Sequence, residues 1–381
     1  MAETTEGILD LFLEYVGENG LVERAPNYMF MDWVKEKEFN RHHPPKCMGQ
    51  GYMSVLLVGA LECSKNLLEL VAGYEEKNCY YQNKKNEIKV AINKLLWKDE
   101  KQLYVDGLFD AKEKKATKWL PNDVDEEFYS QHMNTLAVLF NIAPKEKQMA
   151  VMEKVMEDKS LSQAQPYFMH FIFNALAKTN LFNKYGITQL ERWNTLMLEN
   201  PSGLKEVWNG FDCDYSHAWG GTPTYQMPAR ILGVEPVEPG FKTFSFKPCL
   251  PESLEEATGK IPTPYGSISV GLKWENNILK KEIDFPKELK MLEPVSKIIS
   301  AIYIKLIYFL VQKKKDTSLA SFPLNSYQFP FCFIRLRIFA AAHKKSHTQK
   351  NQQQNPAFFS HIVLHFTLYF CEYVQNRASY A

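Results

Sequence analysis

The chain has 381 residues, of which 45% are hydrophobic, so it can bury the cores of two or three domains. Its formal net charge of +1 excludes the strongly basic balance that is typical of a nucleic-acid-binding protein. The seven cysteines form no CxxC pair and no Cys/His zinc spacing, so they are expected to be reduced thiols.

The N-terminal two thirds of the chain carries a helical pattern. Leu57, Leu61 and Leu68 place apolar side chains on one face of a helix predicted over residues 50–72. Prolines and glycines end the helices, and short loops alternate with longer ones. Helices paired in this way favour an α/α toroid or a solenoid, and the lack of a fixed repeat period disfavours a regular solenoid. Similar stripes lie at 8–16, 87–97, 132–140, 148–156, 167–178 and 188–198.

The hydrophobic period changes near residue 233, where strand patterns replace the helical stripes. Phe and Thr/Ser alternate in FKTFSFKP (241–248), and apolar residues recur at every second position in residues 258–274. Asn276 and Asn277 follow directly and are typical of a tight hairpin turn. The sequence therefore predicts a small antiparallel β module over roughly 233–290.

The last 86 residues differ in composition from the rest. Residues 296–381 contain no glycine and hold 11 Lys/Arg against two acidic residues, whereas residues 1–295 hold 34 basic and 42 acidic ones. The apolar run 298–311 is interrupted by Lys305 and is shorter than the ~17–25 residues that span a bilayer. We expect this basic tail to be unstructured and not a native domain, and we expect no membrane anchor.

Residues 206–228, EVWNGFDCDYSHAWGGTPTYQMP, concentrate side chains suited to a sugar site. Glycoside hydrolysis uses two carboxyl groups, and sugar rings pack against flat aromatic surfaces. Glu206 stands before Trp208 and eleven residues ahead of His217, in a stretch where a loop or helix entry is expected. The pattern alone leaves two interpretations open, a catalytic carboxylate or an ordinary solvated loop glutamate.

Other polar clusters favour structural roles. The run Arg41 to Pro45 contains adjacent histidines, which point in different directions, so a loop is favoured over a metal site. His132 and His170 lie among apolar residues and are expected to be hydrogen-bonded core histidines. The acidic residues of 123–127 are expected to form a solvated loop.

Four stretches of the chain carry a family resemblance: APNYMFMDWV (25–34) with RHHPP and GQGYM, INKLLWKDEKQLYVDG (92–107), SQHMNTLAVLFNIA (130–143) and LKEVWNGFDCDYSHAWGGTPTYQMPARILGVEPVEPGFKTFSFKP (204–248). Together they resemble glycoside hydrolase family 78, the bacterial α-L-rhamnosidases. The resemblance covers roughly residues 8–290, and its last stretch is the most specific.

The resemblance implies a fold, a reaction and a set of site residues. It implies a mainly α chain with a partial (α/α)6 six-hairpin glycosidase domain over 1–232, a C-terminal β-sandwich-type domain over 233–295, and the atypical tail. It implies inverting hydrolysis of terminal α-L-rhamnosides without a metal or cofactor. Glu206 matches the general base. The substrate-binding candidates are His217, Trp33, Asp32 and Trp219.

The resemblance also has a gap. The family's general acid lies in a D-x-x-x-R-D-E-R-x-G-W-x-G-D motif upstream of the segment matched by 25–34, and this sequence contains no such motif. We therefore expect a truncated rhamnosidase with little activity alone, and a complementing N-terminal fragment as a partner. The acidic start MAETTEGILDLF is not a secretory signal, so the chain as it stands is expected to be cytoplasmic. The alternatives are a non-catalytic carbohydrate-binding or assembly fragment, and another six-hairpin glycosidase or lyase.

Overall fold

A computed structural model describes residues 2–23, 30–36, 39–40, 46–109, 124–199, 203–209 and 217–292. The chain divides into two compact units, the first formed by residues 1–235 and 247–288, the second by 236–246 and 289–381. The predicted domains 1–232 and 233–295 stay predictions. The predicted basic tail, 296–381, lies outside the described residues.

The first unit is built mainly from helices at the positions that the apolar stripes predict. A π-helical turn, Phe182–Gly186, precedes the seventh helix, and a 3-10 turn, Ala218–Gly221, and a second π turn, Met227–Ile231, flank the eighth. The helices are α1 Ala2–Glu14, α2 Lys46–Glu69, α3 Glu75–Leu95, α4 Gln131–Leu139, α5 Lys145–Glu157, α6 Met169–Lys178, α7 Ile187–Glu199 and α8 Pro223–Gln226.

The packing of these helices follows an inner and outer arrangement. α2 contacts α1, α3 and α4, and α4 contacts α5 and α6 as well. Residues 131–138 of α4 are all buried, whereas α3 buries a stripe of Asn78, Tyr81, Ile88 and Ile92. A helix that is buried on all sides is an inner helix, and a striped helix covers it from outside. This is the arrangement expected of part of an α/α barrel.

The N-terminal end of α4 is fixed by polar side chains in the core. Ser130 caps the helix by accepting a hydrogen bond from Met133 N, and its own hydroxyl donates to Asp106 Oδ1 at 2.7 Å. Asn134 donates to the carbonyls of Tyr104 and Ser130 and accepts from Tyr104 N at 2.8 Å. These contacts leave the hydrogen-bonding atoms of the Asn134 amide satisfied in the core.

Short strands complete the first unit. β7 (Glu256–Thr263), β8 (Gly266–Glu275) and β9 (Ile278–Asp284) form an antiparallel meander, and Asn276 and Asn277 between β8 and β9 have φ of 50° and 61°. Positive φ at two consecutive turn residues is the geometry that a tight hairpin requires, so the predicted turn is confirmed. The strands of the chain are β1 Lys35–Glu36, β2 Phe39–Asn40, β3 Trp97–Lys98, β4 Leu103–Tyr104, β5 Val234–Pro236, β6 Thr243–Phe246, β7 Glu256–Thr263, β8 Gly266–Glu275, β9 Ile278–Asp284 and β10 Lys290–Leu292.

The second unit contains a parallel pair that the sequence pattern did not predict. β10 pairs with β6 in parallel, with Lys290 opposite Thr243 and Leu292 opposite Ser245. The predicted antiparallel module is confirmed in β7 to β9, and this parallel pair is an addition to it. A parallel pair needs a long connection, and the chain between β6 and β10 is long enough to provide one. Phe244 in β6 is fully buried.

The described part of the chain holds no helix with the length and apolarity needed to cross a membrane. Cys63, Cys79 and Cys249 carry free thiols, as predicted for these three.

Candidate functional site

Glu206 and His217 form the centre of the candidate site. Glu206 lies in an irregular segment, residues 203–209, and His217 directly precedes the 3-10 turn Ala218–Gly221. Glu206 Oε1 is 3.6 Å from His217 Nε2, and the two side chains keep 19% and 21% of their surface exposed. The carboxylate is therefore partly shielded yet still open to solvent, which is what a group that must contact a water and a ligand requires.

The backbone brings these two side chains together. His217 N donates to Leu204 O at 2.8 Å, which ties the 3-10 turn to the segment of Glu206. Gly220 lies against this segment, since a Cβ at that position would be 3.1 Å from Lys205 O. Trp193 on α7 donates its Nε1 hydrogen to Gly220 O at 2.8 Å and holds the turn from behind. The absence of a side chain at residue 220 allows this close approach.

Trp208 anchors the other side of the Glu206 segment. Its Nε1 donates to Ala164 O at 2.8 Å, and its backbone N donates to Gln165 Oε1 at 2.9 Å. The ring packs edge-on against Trp193 at 4.8 Å, and the Arg192 guanidinium carbon lies 3.7 Å from the ring centroid. The segment is thus held both by hydrogen bonds and by aromatic and cation–π packing.

Asp32 and Trp33 have different environments although they are neighbours in sequence. Trp33 is 41% exposed and packs against Phe30 with ring centroids 5.6 Å apart. Asp32 has no exposed surface. Its Oδ1 accepts from Trp33 N at 2.7 Å, and its Oδ2 accepts from Gln165 N at 2.9 Å and lies 2.5 Å from His132 Nε2. Trp33 can therefore offer a surface to a ligand, whereas the Asp32 carboxylate is engaged within the protein.

Two tyrosines, the buried Tyr52 and the partly buried Tyr167, lie near Asp32. Burial raises the pKa of Tyr52 to about 12, and the nearby Asp32 charge acts in the same direction. Burial, together with Tyr52 and Asp32, also raises the pKa of Tyr167. Both phenols stay protonated at neutral pH. Tyr167 donates to Met31 O, and Tyr52 lies 3.4 Å from the Tyr167 hydroxyl.

The structure places the predicted site residues in three ways. Glu206 and His217 are brought into contact, and Trp33 is exposed. Asp32 is buried, and its assignment to sugar binding stays a prediction. The side chain of Trp219 lies outside the described residues. The prediction that Trp33 shares a wall with Glu206 stays a prediction, although hydrogen bonds through Asp32, Gln165 and Trp208 link the two segments.

Sequence reasoning missed the residues that make this link. Gln165 stands in the loop before Pro166, where polar residues are unremarkable, and Trp208 was noted only as a neighbour of Glu206. His132 is a core histidine, as predicted, but its bond to Asp32 joins residues 100 positions apart. A single sequence carries no signal for such a pairing.

No group of three or more His, Cys, Asp or Glu side chains within the described ranges could hold a metal ion. The run of residues 41–45, for which a loop was predicted, lies outside those ranges, as does Asp123. In the part of the acidic loop that is described, Glu127 pairs with Lys98 and accepts from the Tyr129 hydroxyl at 2.5 Å.

Comparisons with known proteins find similarity to α-L-rhamnosidases. Residues 233–292 match the family described as bacterial alpha-L-rhamnosidase C-terminal domain. A curated alpha-L-rhamnosidase of Alteromonas sp. (strain LOR) is 38% identical over 91 residues, which are 23% of this chain and 9% of that protein.

Solved structures extend the similarity in fold to the helical part. The GH78 family rhamnosidase of Bacillus sp. GL1 superposes with a TM-score of 0.62 at 22% identity, covering 76% of this chain and 30% of that one. The Streptomyces avermitilis alpha-L-rhamnosidase, solved in complex with L-rhamnose, gives a TM-score of 0.55 at 12% identity, covering 76% and 26%. The chain thus spans less than a third of the length of these relatives. The predicted resemblance to glycoside hydrolase family 78 and the predicted partial six-hairpin fold are confirmed.

Proposed function

We propose that this chain, related to the α-L-rhamnosidases of glycoside hydrolase family 78, forms the water-activating part of an inverting α-L-rhamnosidase. Glu206 acts as the general base, and His217 and Trp33 bind the terminal rhamnose. The observation that carries the proposal is the partly exposed Glu206–His217 pair at 3.6 Å. The rhamnosidase similarity of residues 233–292, and the 38% identity of 91 residues to a curated alpha-L-rhamnosidase, support the choice of sugar.

The geometry suits a base that works on water. In an inverting reaction one carboxylate takes a proton from water while the water oxygen attacks the anomeric carbon, and a carboxylic acid protonates the leaving oxygen. Glu206 keeps enough exposed surface to accept a hydrogen bond from such a water. His217 beside it can hold a sugar hydroxyl, so that the anomeric carbon faces the water.

The sugar-binding surface is set by the exposed indole of Trp33. Rhamnose carries a methyl group in place of a hydroxymethyl group, so one side of the ring is apolar and fits against an aromatic face. Trp33 is 41% exposed and is oriented by Phe30 and by the bond from its backbone N to Asp32. A glycan or glycoside that ends in α-L-rhamnose is the proposed substrate.

The general acid of the proposed mechanism comes from a segment outside this sequence. An inverting site needs its second carboxyl ~6.5–9.5 Å from the base. We propose that a complementing N-terminal segment supplies it, because the acid motif of the family is not found in this sequence. Without acid assistance the reaction of an ordinary glycoside slows by roughly 100- to 10,000-fold.

A substrate that needs no acid tests this division of labour. In α-L-rhamnosyl fluoride the C1–F bond breaks without protonation of the leaving group. Water forms the new C1–O bond, and Glu206 takes the proton. We expect the purified chain to hydrolyse the fluoride but to leave an aryl rhamnoside almost untouched. The first product seen by proton NMR should be β-L-rhamnose, the inverted anomer.

The matched variant is Glu206→Gln, which keeps the shape of the side chain and removes the base. It should bind L-rhamnose in an NMR titration as the parent does and lose fluoride hydrolysis. Equal hydrolysis by the variant would overturn the assignment of the base. Binding that depends on Trp33 and His217, with no hydrolysis of the fluoride by the parent chain, would favour a non-catalytic carbohydrate-binding fragment instead.

A further inference from the structure

We infer that Asp32 is a positioning residue, whose buried carboxylate sets the Trp33 surface and the Glu206 segment relative to each other. This inference rests on the proposed function for its kinetic consequences, and its structural consequences can be tested without it. The resemblance assigned Asp32 to sugar binding, yet the side chain has no exposed surface. Its role has to act through the groups that it contacts.

The first of these groups is the backbone of Trp33. Trp33 N donates to Asp32 Oδ1 at 2.7 Å, so the carboxylate fixes the direction in which the chain leaves residue 32. The carbonyl of Met31, on the other side, accepts from the Tyr167 hydroxyl. Hydrogen bonds to the backbone on both sides of Asp32 therefore fix residues 31–33, which carry the Trp33 indole.

The second group leads to Glu206. Asp32 Oδ2 accepts from Gln165 N at 2.9 Å, and the side chain of the same glutamine accepts from Trp208 N at 2.9 Å. Trp208 is only two residues after Glu206, and its indole is bound to the neighbouring Ala164 O. A shift of Gln165 must therefore move the backbone on which Glu206 is carried.

The third group anchors the carboxylate to the inner helix α4. His132 Nε2 lies 2.5 Å from Asp32 Oδ2, and the imidazole packs 4.4 Å from the Phe168 ring. His132 Nδ1 has no hydrogen-bond partner among the described residues, so Asp32 is the polar contact that we assign to this ring. A buried carboxylate is tolerated only when donors surround it, and the three groups here meet that need.

Substitution of Asp32 by Asn tests the whole arrangement. The amide keeps the shape but places an NH₂ group where the protein presents backbone N–H donors at both oxygens. We expect both the Trp33 and the Trp208 signals to shift in fluorine NMR spectra of protein labelled with 5-fluorotryptophan. We expect hydrolysis of α-L-rhamnosyl fluoride to fall by roughly 100-fold, since a displacement of about 1 Å can cost that much.

Gln165→Leu separates the two arms and guards against a poorly folded Asp32 variant. It keeps the backbone bond of residue 165 to Asp32 and removes the acceptor for Trp208 N. The Trp208 signal should shift and fluoride hydrolysis should fall, while the Trp33 signal stays unchanged. Gln163→Leu is the matched control, because Gln163 in the same loop donates to Leu161 O at 2.7 Å, and neither signal should move.

The outcomes distinguish this inference from the proposed function. A Trp208 signal that stays in place in both Asp32→Asn and Gln165→Leu would overturn the positioning role, whatever the activity. Shifted signals in a protein whose Glu206→Gln variant hydrolyses the fluoride as fast as the parent would uphold the positioning and reject Glu206 as the base.

Discussion

The N-terminal end of α4 and the segment that carries Glu206 are held in place in different ways. In α4, buried Gln131 donates to Val155 O and accepts from Ala164 N, and Asn134 makes three hydrogen bonds to Tyr104 and Ser130. The Glu206 segment has irregular backbone and is held from outside, by the two hydrogen bonds of Trp208 and by the bond of His217 N to Leu204 O. The comparison teaches that α4 provides a platform fixed by buried side chains of its own, whereas the segment with the proposed catalytic group has no regular structure and is positioned by its contacts with neighbouring elements.

The largest expected effect comes from removing one platform contact. Asn134→Leu leaves the N–H of Tyr104 and two carbonyls in the core without the side-chain partner. Each buried group left unsatisfied costs ~1–3 kcal/mol, so we expect a loss of about 3 kcal/mol or more in the free energy of unfolding. Urea denaturation followed by circular dichroism measures it.

Asn83→Leu is the control for this substitution. Asn83 is exposed on α3, and within the described residues its amide makes a single 3.9 Å contact, to a cysteine sulfur. Its free energy of unfolding should stay within ~0.5 kcal/mol of the parent. Similar losses at both positions would contradict the view of α4 as a platform.

The second effect is a loss of hydrolysis without a loss of stability. Glu206→Gln should reduce hydrolysis of α-L-rhamnosyl fluoride by ~100-fold or more, because the base that accepts the proton from water is gone. The free energy of unfolding should barely change, since Glu206 is partly exposed and is not part of the α4 network. A stability loss as large as that of Asn134→Leu would show that the two regions are not distinct.

The sequence predicted the helices of the first unit, but it did not predict the contacts between residues that are distant in the chain. The stripe of Leu57, Leu61 and Leu68 is buried as expected, because helical periodicity is a local property of the chain. The Glu206–His217 contact followed from a motif whose two members are close in sequence. The Asp32–His132 bond and the parallel pairing of β6 with β10 join distant positions, and no local preference encodes them.

A third and smaller effect sharpens the comparison at the turn behind His217. Gly220→Ala would place a Cβ 3.1 Å from Lys205 O, so the turn or the Glu206 segment has to give way by a few tenths of an ångström. We expect a loss of roughly 1 kcal/mol in stability, at the lower end of overpacking costs, and weaker binding of L-rhamnose in an NMR titration.

The adjacent glycine supplies the control for Gly220. A Cβ at Gly221 would lie 3.5 Å from Leu204 Cδ1, which is an ordinary contact. Gly221→Ala should therefore leave rhamnose binding as it is. If both substitutions weakened rhamnose binding equally, the cause would be the added Cβ in the 3-10 turn itself. The close approach of Gly220 to the Glu206 segment would then not explain the effect.

The smallest effect is a pH dependence located where α6 meets the end of the turn. His170 Nδ1 lies 3.1 Å from Thr222 Oγ1, and its Nε2 lies 3.0 Å from Asn174 Nδ2. Asn174 Oδ1 accepts from Gln226 and from Arg230, so the amide is oriented with its NH₂ toward His170. Nε2 must then accept a hydrogen bond, which requires the neutral ring with its proton on Nδ1.

Burial, and next the charge of Arg230, lower the pKa of His170 below its usual 6.5. Since the unfolded chain binds the proton more readily, this stabilising contribution is complete above pH 6.5 and is lost as the pH falls through the lowered pKa of the folded state. His170→Gln should flatten the fall in unfolding free energy between pH 7 and pH 5. Urea titrations at half-unit pH steps would show it, and an unchanged slope would place the acid sensitivity at other groups. Because Thr222 directly follows the 3-10 turn after His217, the parent should also lose rhamnose affinity over the same pH range, and the variant should lose less.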